Sequence, residues 1–454
     1  MTIIIMAVVC LATGLAIRLL RQLPRLVFVA SLVGAIALAV LLASAAYDPV
    51  YFFGRSLALD ASARLFLVPA ISIAAALAFF GPLTFEHVSD APIDTITNAQ
   101  GAYFFWSLAP LLFAITLDSF PLAVFFWAVG LIILMLAAHS RREGRVGGTA
   151  QFLLLTVIAS AMLLLANRFI DLYPLTPENL DLIRNTIVFL ALGFGLLLAV
   201  VPLSIWFGPL ADEMPLLGLA FLVGIVQPVG LWLLYQQMMT VPWLVSKSPL
   251  LEILYWGGIV TVPVGALLAL GERRSGRWLA YLSLVSLGNA LIGLSLGTQL
   301  GLIGAVFAIF NRAVGVALIA GGLAFVQHHA ERRWQLIGAA AIVMGGFSLS
   351  GIPPLVGFAS GYSVYRDLAA TNPNAIIVLL VSATLVLFAA TRVAWDIVRA
   401  SRQVQVVSVE IKIVPYLCAV VVLLLMVITI SVGLFPQWIG NSLIDTLGKA
   451  AYLK

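Results

Sequence analysis

Arg312 is the residue whose type and position most clearly predict a function. It is the only charged side chain between Trp278 and Gln327, a stretch that otherwise predicts two apolar helices. A charge at mid-membrane depth costs several kcal/mol, so an intramembrane arginine usually marks a functional site. Because arginine stays protonated at accessible pH, it can fix an electric field or bind an anion but cannot readily pass on a proton. We expect a functional or assembly role for Arg312.

The partner of Arg312 stays open at this point, because no Asp or Glu falls in the central part of a predicted span. The candidates are carbonyls freed at a helix break, a lipid phosphate and a carboxylate from a neighbouring subunit. Gln227, Ser204 and Ser286 are further intramembrane candidates. They can hold water, but they cannot change charge near neutral pH, and interhelical hydrogen bonds worth about 1 kcal/mol are the favoured interpretation.

The elements that position these residues are membrane helices. The chain has 454 residues, of which 63% are hydrophobic and 9% charged, with a mean hydropathy of +1.13. This composition excludes a soluble globular protein and predicts an all-α polytopic membrane protein. Runs of about twenty apolar residues can cross a hydrocarbon core of about 30 Å. Fourteen such spans are predicted, near residues 2–20, 26–47, 63–85, 100–117, 119–139, 149–167, 186–208, 215–239, 250–271, 277–298, 300–327, 335–365, 374–398 and 413–434.

The basic residues predict the orientation, because short loops rich in Lys and Arg stay cytoplasmic. The odd-numbered loops hold Arg18, Arg21, Arg25, Arg141, Arg142, Arg145, Arg273, Arg274, Arg277, Arg332, Arg333, Arg399, Arg402 and Lys412. This bias predicts a bacterial inner (cytoplasmic) membrane protein with both termini on the outer, periplasmic side, although the odd loops at 86–99 and 209–214 are acidic. The net charge of +5 reflects the same bias, so no nucleic-acid partner is expected. Arg392 and Asp396, one helical turn apart, are expected to form an interfacial ion pair.

The cysteines and histidines exclude several cofactors. Cys10 and Cys418 are too few and too far apart for a metal site or an iron–sulfur cluster. The four histidines fall at loop edges: His87, His139, His328 and His329. No Gly-rich phosphate loop follows a strand. We therefore expect no cofactor, whether metal, haem, flavin, iron–sulfur cluster or nucleotide.

Two spans contain helix-breaking residues at membrane depth. Span 7 contains Pro202, and span 12 contains Gly351, Pro353 and Pro354. Freed backbone groups are tolerated there only inside protein or beside a water-filled cavity. Because the two spans are five apart, they predict two inverted five-helix repeats, at spans 4–8 and 9–13; the alternative is that the prolines merely kink packed helices. The predicted units are residues 1–99 with three helices, 100–240 and 250–398 with one repeat each, and 399–454 with the last helix and tail.

Several motifs occur in the order expected of a known family. They are Gly-Ile-Pro-Pro-Leu-Val-Gly-Phe at 351–358, Leu-Asp-Ala-Ser-Ala-Arg-Leu-Phe-Leu at 59–67, Pro-Leu-Ser-Ile-Trp at 202–206, Leu-Ala-Tyr-Leu-Ser-Leu-Val-Ser-Leu-Gly at 279–288 and Gly-Leu-Phe-Pro-Gln at 433–437. With these motifs the chain resembles the antiporter-like membrane subunits of respiratory complex I (NADH:quinone oxidoreductase), membrane-bound hydrogenases and multisubunit cation/proton antiporters. The resemblance implies ion half-channels in which glutamate, lysine and histidine side chains pass protons along a central axis.

The chain departs from this pattern at the positions that the resemblance assigns to proton relay. The glutamate of span 5 is Ala128, the lysine of span 7 is Leu197 and the lysine of span 12 is Gly361. Polar but non-titrating residues stand at others: Ser204 and Ser286 replace histidines, and the span 8 position falls at Gln227 or Pro228. Arg312 lies near the lysine or histidine of span 11. The chain is thus interpreted as a charge-depleted member of the family.

The leading functional hypothesis is a membrane-arm subunit of a complex I-related or hydrogenase-related assembly, structural or with reduced proton conduction. It would have no catalytic centre of its own and would contact other membrane subunits and lipids. One alternative is an active proton or sodium translocating subunit, including one coupled to inorganic carbon uptake. The other is a free-standing transporter for an anion attracted to Arg312.

Overall fold

The computed structural model describes residues 2–45, 50–52, 54–81, 100–139, 147–328, 331–401 and 413–440. Eighteen α-helices form almost all of these residues. They are α1 Thr2–Leu19, α2 Pro24–Ser44, α3 Ala61–Phe80, α4 Gln100–Thr116, α5 Phe120–His139, α6 Gly147–Leu172, α7 Leu180–Leu198, α8 Phe207–Glu213, α9 Leu216–Phe221, α10 Gln227–Thr240, α11 Trp243–Ser246, α12 Leu250–Gly271, α13 Ser275–Ser295, α14 Gln299–His328, α15 Arg332–Ser350, α16 Val356–Thr371, α17 Pro373–Ser401 and α18 Ile413–Leu434. A short antiparallel hairpin pairs β1 Val50–Phe52 with β2 Arg55–Leu57.

Some predictions fall outside these ranges. They concern His87 and His329, the acidic loop at 86–99, the basic residues Arg141, Arg142, Arg145, Arg402 and Lys412, and the tail after Gly440.

Within the described ranges, ten helical segments are long and apolar enough to cross a membrane. Three shorter apolar helices accompany them, at Phe66–Phe80, Gln100–Thr116 and Phe120–Leu136. The prediction of an all-α, multi-pass membrane protein is confirmed, whereas the count of fourteen spans stays a prediction.

The central layer of the molecule consists of three segments that are buried on all sides. The most apolar windows of Leu216–Thr240, Ser275–Ser295 and Gln299–Val326 are 94%, 89% and 89% buried, against 28–39% for the other long segments. The first of these segments comprises α9, one π-helical turn at Leu222–Val226, and α10. Side chains on α10, α13 and α14 therefore face protein rather than lipid.

Helices α7 and α15 both end at an interruption that contains proline. Helix α7 ends at Leu198 because Ala199 adopts a left-handed conformation (φ 63°), and α8 begins at Phe207 after turns that include Pro202. Helix α15 ends at Ser350, where Gly351 has φ 83°. The prolines lack the N–H donor that a continuous helix needs. A new helix therefore begins after each interruption, α8 after α7 and α16 after α15.

The second break is tightly packed. A Cβ atom on Gly357, in the first turn of α16, would lie 1.7 Å from the carbonyl oxygen of Ser348. A Cβ atom on Gly433 of α18 would lie 2.0 Å from the carbonyl oxygen of Pro354. Only glycine permits these two approaches, so the break is held between α16 and α18.

Helices α4 and α5 are separate elements divided at Asp118, where the prediction placed the boundary between spans 4 and 5. Leu117 forms a bridge with Leu57, and the Asp118 N–H donates to the carbonyl of Ser56 at 3.4 Å. The β-hairpin therefore holds the connection. Burial raises the pKa of the Asp118 carboxyl above its ordinary value, and the nearby Asp60 carboxylate raises it further.

The acidic segment at 209–214 opposed the predicted orientation, and the structure gives its acids local partners. Asp212 pairs with Arg274 at 2.7 Å and with Arg277 at 2.5 Å. Glu213 accepts hydrogen bonds at 2.8 Å from two backbone N–H groups at the start of α6. A carboxylate is favourable at a helix N-terminus. These acids thus stabilise helix contacts and are a weak guide to orientation.

Arg392 does not form the expected ion pair with Asp396. Its guanidinium donates instead to the carbonyl oxygens of Leu270 and Glu272 at the end of α12. The last carbonyls of a helix lack intrahelical partners and carry partial negative charge. They compete successfully with an exposed i,i+4 carboxylate.

Candidate functional site

Arg312 lies near the middle of α14 and is fully buried. Its Nη2 atom donates a hydrogen bond to Oε1 of Gln227 and a weaker one, at 3.5 Å, to Oγ of Ser283. Neither a lipid phosphate nor a neighbouring subunit can reach a side chain with 0% exposure. The partners of Arg312 are therefore two side chains of its own chain, which sequence reasoning did not identify.

Gln227 connects Arg312 to the first helix break. It is the first residue of α10, and its Nε2 atom donates to the carbonyls of Leu198 at 3.2 Å and Leu197 at 3.5 Å. These carbonyls belong to the last turn of α7, where the break leaves them without helical partners. The C-terminal end of a helix carries partial negative charge. Gln227 thus links the guanidinium of Arg312 to the carbonyl groups at the C-terminal end of α7 by hydrogen bonds.

The positive charge of Arg312 is only partly compensated. Its Nε and Nη1 atoms are buried and have no hydrogen-bond partner, and no described carboxylate forms a salt bridge with it. Buried charges are normally paired, because desolvation costs several kcal/mol per ion. The site therefore holds a fixed positive field in the centre of the protein.

Asn311, the neighbour of Arg312 on α14, contacts the second helix break. Its Nδ2 atom donates to the carbonyl of Ser348 at 3.0 Å, and Oγ of Ser348 donates back to Oδ1 of Asn311 at 2.5 Å. Two consecutive residues of α14 are therefore hydrogen-bonded to the two breaks, Asn311 directly and Arg312 through Gln227. Sequence reasoning missed Asn311, although an amide beside an intramembrane arginine was an available signal.

A polar cavity lies beside the second break, between α13, α14, α15 and α16. It is small, with room for about one water molecule. The described polar side chains that line it are Ser286, Asn289, Asn311, Ser350, Ser360 and Tyr365. Oγ of Ser286 donates to the carbonyl of Ser283 at 3.0 Å, and Oγ of Ser283 accepts from Arg312, so these hydrogen bonds connect the cavity lining to the Arg312 site. The cavity can hold water, but its described lining offers no acid, lysine or histidine.

Tyr365 occupies the space beside Gly361, the position that the resemblance assigns to a lysine. A Cβ atom on Gly361 would lie 3.3 Å from the Tyr365 ring, and both residues line the cavity. The phenol can donate and accept hydrogen bonds, but its ordinary pKa of about 10 keeps it neutral at pH 7. Sequence reasoning missed Tyr365 because residue spacing along α16 does not show which side chain fills the space beside Gly361.

The other predicted site residues do not join this cluster. Leu197 is 1% exposed and contributes its carbonyl rather than its side chain. Ala128 is half-buried on α5. Ser204 lies in the turns between α7 and α8, and its hydroxyl makes no hydrogen bond with the described residues. Pro228 faces a different, apolar cavity between α3, α10 and α14.

The described residues offer no candidate metal centre. No group of three or more His, Cys, Asp or Glu side chains in these ranges could hold an ion. Cys10 and Cys418 are both free and buried.

The family model described as NADH:quinone oxidoreductase/Mrp antiporter, TM, matches residues 118–387, which is more than half of the chain. The match includes both helix breaks and Arg312. The chain belongs to this family. Subunit N of the NADH-quinone oxidoreductase of Desulforudis audaxviator is 28% identical over 338 residues, covering 68% of this chain and 67% of the relative. Formate hydrogenlyase subunit 3 of Escherichia coli is 28% identical over 39% of this chain and 32% of the relative.

A solved structure supports the fold along the whole chain. A chain of the membrane-bound sulfane sulfur reductase, an archaeal respiratory membrane complex, superimposes with a TM-score of 0.78 at 19% identity, covering 99% of this chain and 98% of that one. The protein is therefore an antiporter-like membrane subunit of the kind found in complex I-related or Mrp-type complexes. The sequence alignments span a third to two thirds of the relatives' length, so the activities of those proteins are not transferred with the fold.

Proposed function

We propose that the chain is a membrane-arm subunit of a complex I-related, redox-driven or ion-coupled assembly in a bacterial inner membrane. Its role there is structural, or it conducts protons at a reduced rate. The observation that carries this proposal is the Arg312–Gln227 hydrogen bond at the centre of the molecule. A relay needs groups that take up and release protons in a low-dielectric path. Arginine and a carboxamide do neither near neutral pH.

The positions assigned to relay support the same proposal. Ala128 and Leu197 leave the first repeat without a glutamate–lysine pair, and Tyr365 fills the place of a lysine at Gly361. The proposed architecture is fourteen spans, with inverted repeats at spans 4–8 and 9–13 and both termini on the outer side. The matched interruptions after α7 and α15, each contacted by α14 or its partner Gln227, support these repeats.

The surface at the first break supports neighbouring membrane subunits as partners. Ile205 is 76% exposed and Pro202 is also exposed, although both lie in non-helical turns of a membrane span. Irregular backbone at membrane depth is tolerated only where protein or a water-filled cavity covers it. A neighbouring subunit that packs on this turn would supply that cover.

Purification from the native membrane in mild detergent tests the proposal. We expect the chain to co-migrate with redox or hydrogenase subunits, and to give little or no proton uptake when reconstituted alone in liposomes under an imposed gradient. Migration as a lone monomer without such partners would overturn the assignment to an assembly.

A second candidate function is an active proton or sodium translocating subunit. The polar cavity at the second break favours it, because Ser286, Asn289 and Tyr365 offer hydroxyl and amide groups to a cation without a lysine. Robust uptake by the reconstituted wild-type chain, abolished in Arg312→Ala, would favour this function over the first.

A further inference from the structure

Three polar residues on one side of α13 connect the polar cavity to Arg312. Ser283, Ser286 and Asn289 are spaced by three, which places them on successive turns within an arc of about 120° of the helix. Ser283 accepts from Arg312, and Ser286 and Asn289 line the cavity. We call these three residues the α13 polar stripe. It forms a polar route between the lining of the cavity and Arg312.

No described residue of this route carries a negative charge. The polar side chains of the cavity lining and of the stripe are hydroxyl and amide groups only, and the charge of Arg312 has no carboxylate partner among the described residues. A cation in the cavity would therefore meet an uncompensated positive charge at the other end of the stripe.

The size of this repulsion follows from the helix geometry. From Ser283 to Asn289, α13 rises about 9 Å at 1.5 Å per residue. At about 10 Å and an effective dielectric constant of about 20, Coulomb's law lowers the occupancy by a monovalent cation roughly ten-fold or more. The repulsion grows as the cation approaches the guanidinium, because the interaction scales inversely with distance.

We propose that Arg312 is the residue that excludes cations from this polar route, and so keeps the broken-helix scaffold closed to protons and metal cations. An arginine in a pore lining is one way in which membrane proteins form an electrostatic barrier. Gln227 holds the guanidinium in place from the side of α7. This inference rests on the proposed function, and it gives a physical reason for low cation leak through a scaffold with two interrupted helices.

The test compares cation leak through proteoliposomes that contain the full chain, with an imposed membrane potential and a pH-sensitive dye or a sodium indicator inside. We expect Arg312→Met to raise the leak roughly ten-fold or more, following the Coulomb factor. Arg312→Lys keeps the charge and is expected to leak less than Arg312→Met. Arg392→Met is the matched control, because it removes an arginine that bonds carbonyls at the end of α12 and should leave the leak unchanged.

A second variant guards against misfolding of Arg312→Met. Gln227→Glu keeps the arginine and places a carboxylate against it, which cancels the field, so the leak should rise here too. The barrier is refuted, and the proposed function stands, if the cation leak of Gln227→Glu equals that of the wild type. The same holds for Arg312→Met where that variant folds. If the wild type itself conducts strongly, the proposed function fails instead.

Discussion

Replacing Gln227 by leucine removes the side chain that joins Arg312 to the end of α7 while keeping its approximate volume. The change removes the acceptor for a charged donor and leaves the Leu198 carbonyl, bonded at 3.2 Å, without its side-chain partner. A hydrogen bond to a charged group contributes about 1.5–3 kcal/mol, and a buried unsatisfied group costs about 1–3 kcal/mol. Hydrogen bonds between membrane helices average only about 0.6 kcal/mol. We therefore expect the free energy of unfolding to fall by about 2–4 kcal/mol, because the charge makes this contact stronger than average.

Equilibrium unfolding by SDS titration in mixed micelles, followed by tryptophan fluorescence, measures this loss. Gln236→Leu is the matched control, since Gln236 lies on the same helix, is half-buried and donates only one long bond, at 3.4 Å, to Leu117. Its loss should be about 0.6 kcal/mol, the membrane average. Equal losses for the two variants would refute the reasoning that Gln227 has a special role in holding the buried charge.

Three further predictions follow from other contacts. Gly357→Ala should prevent stable folding, because the new Cβ would lie 1.7 Å from the Ser348 carbonyl oxygen; yield and size-exclusion profile measure this. Glu213→Gln should lower the free energy of unfolding by about 1 kcal/mol, the typical loss of a helix N-cap contact, as measured by SDS titration. Gly361→Lys combined with Tyr365→Ala, in an Arg312→Met background, should give more proton uptake into proteoliposomes than Arg312→Met alone, because it places a titratable amine in the polar cavity once the central charge is removed.

Each of these predictions has a matched control. Gly271→Ala should fold normally, since a Cβ there meets nothing within 4 Å. Glu252→Gln removes a carboxylate in the first turn of α12 that accepts no hydrogen bond from the described residues, and should leave stability unchanged. Gly361→Met with Tyr365→Ala, in the same Arg312→Met background, adds a side chain of similar length without a charge. Proton uptake equal to that of the lysine variant would contradict the relay argument.

Much of the architecture was predictable because apolar runs and helix-breaking residues act locally. The central layer was not, since the runs that form α10, α13 and α14 differ little in hydropathy from those that face lipid. Only packing shows which segments are surrounded by protein. The ion pair expected between Arg392 and Asp396 was wrong for the same reason, because the end of α12 is distant in sequence.

The sequence by itself determined that this chain crosses the membrane many times, where two of its helices break, and that the relay positions lack acids and lysines. These properties follow from residue type and local spacing. The tertiary structure alone decided that Gln227, 85 positions away from Arg312, is its partner, that Asn311 serves the second break, and that Tyr365 fills the space beside Gly361. Such contacts depend on the packing of helices remote in sequence, because a buried polar atom must be satisfied by whichever group the fold brings within hydrogen-bond reach.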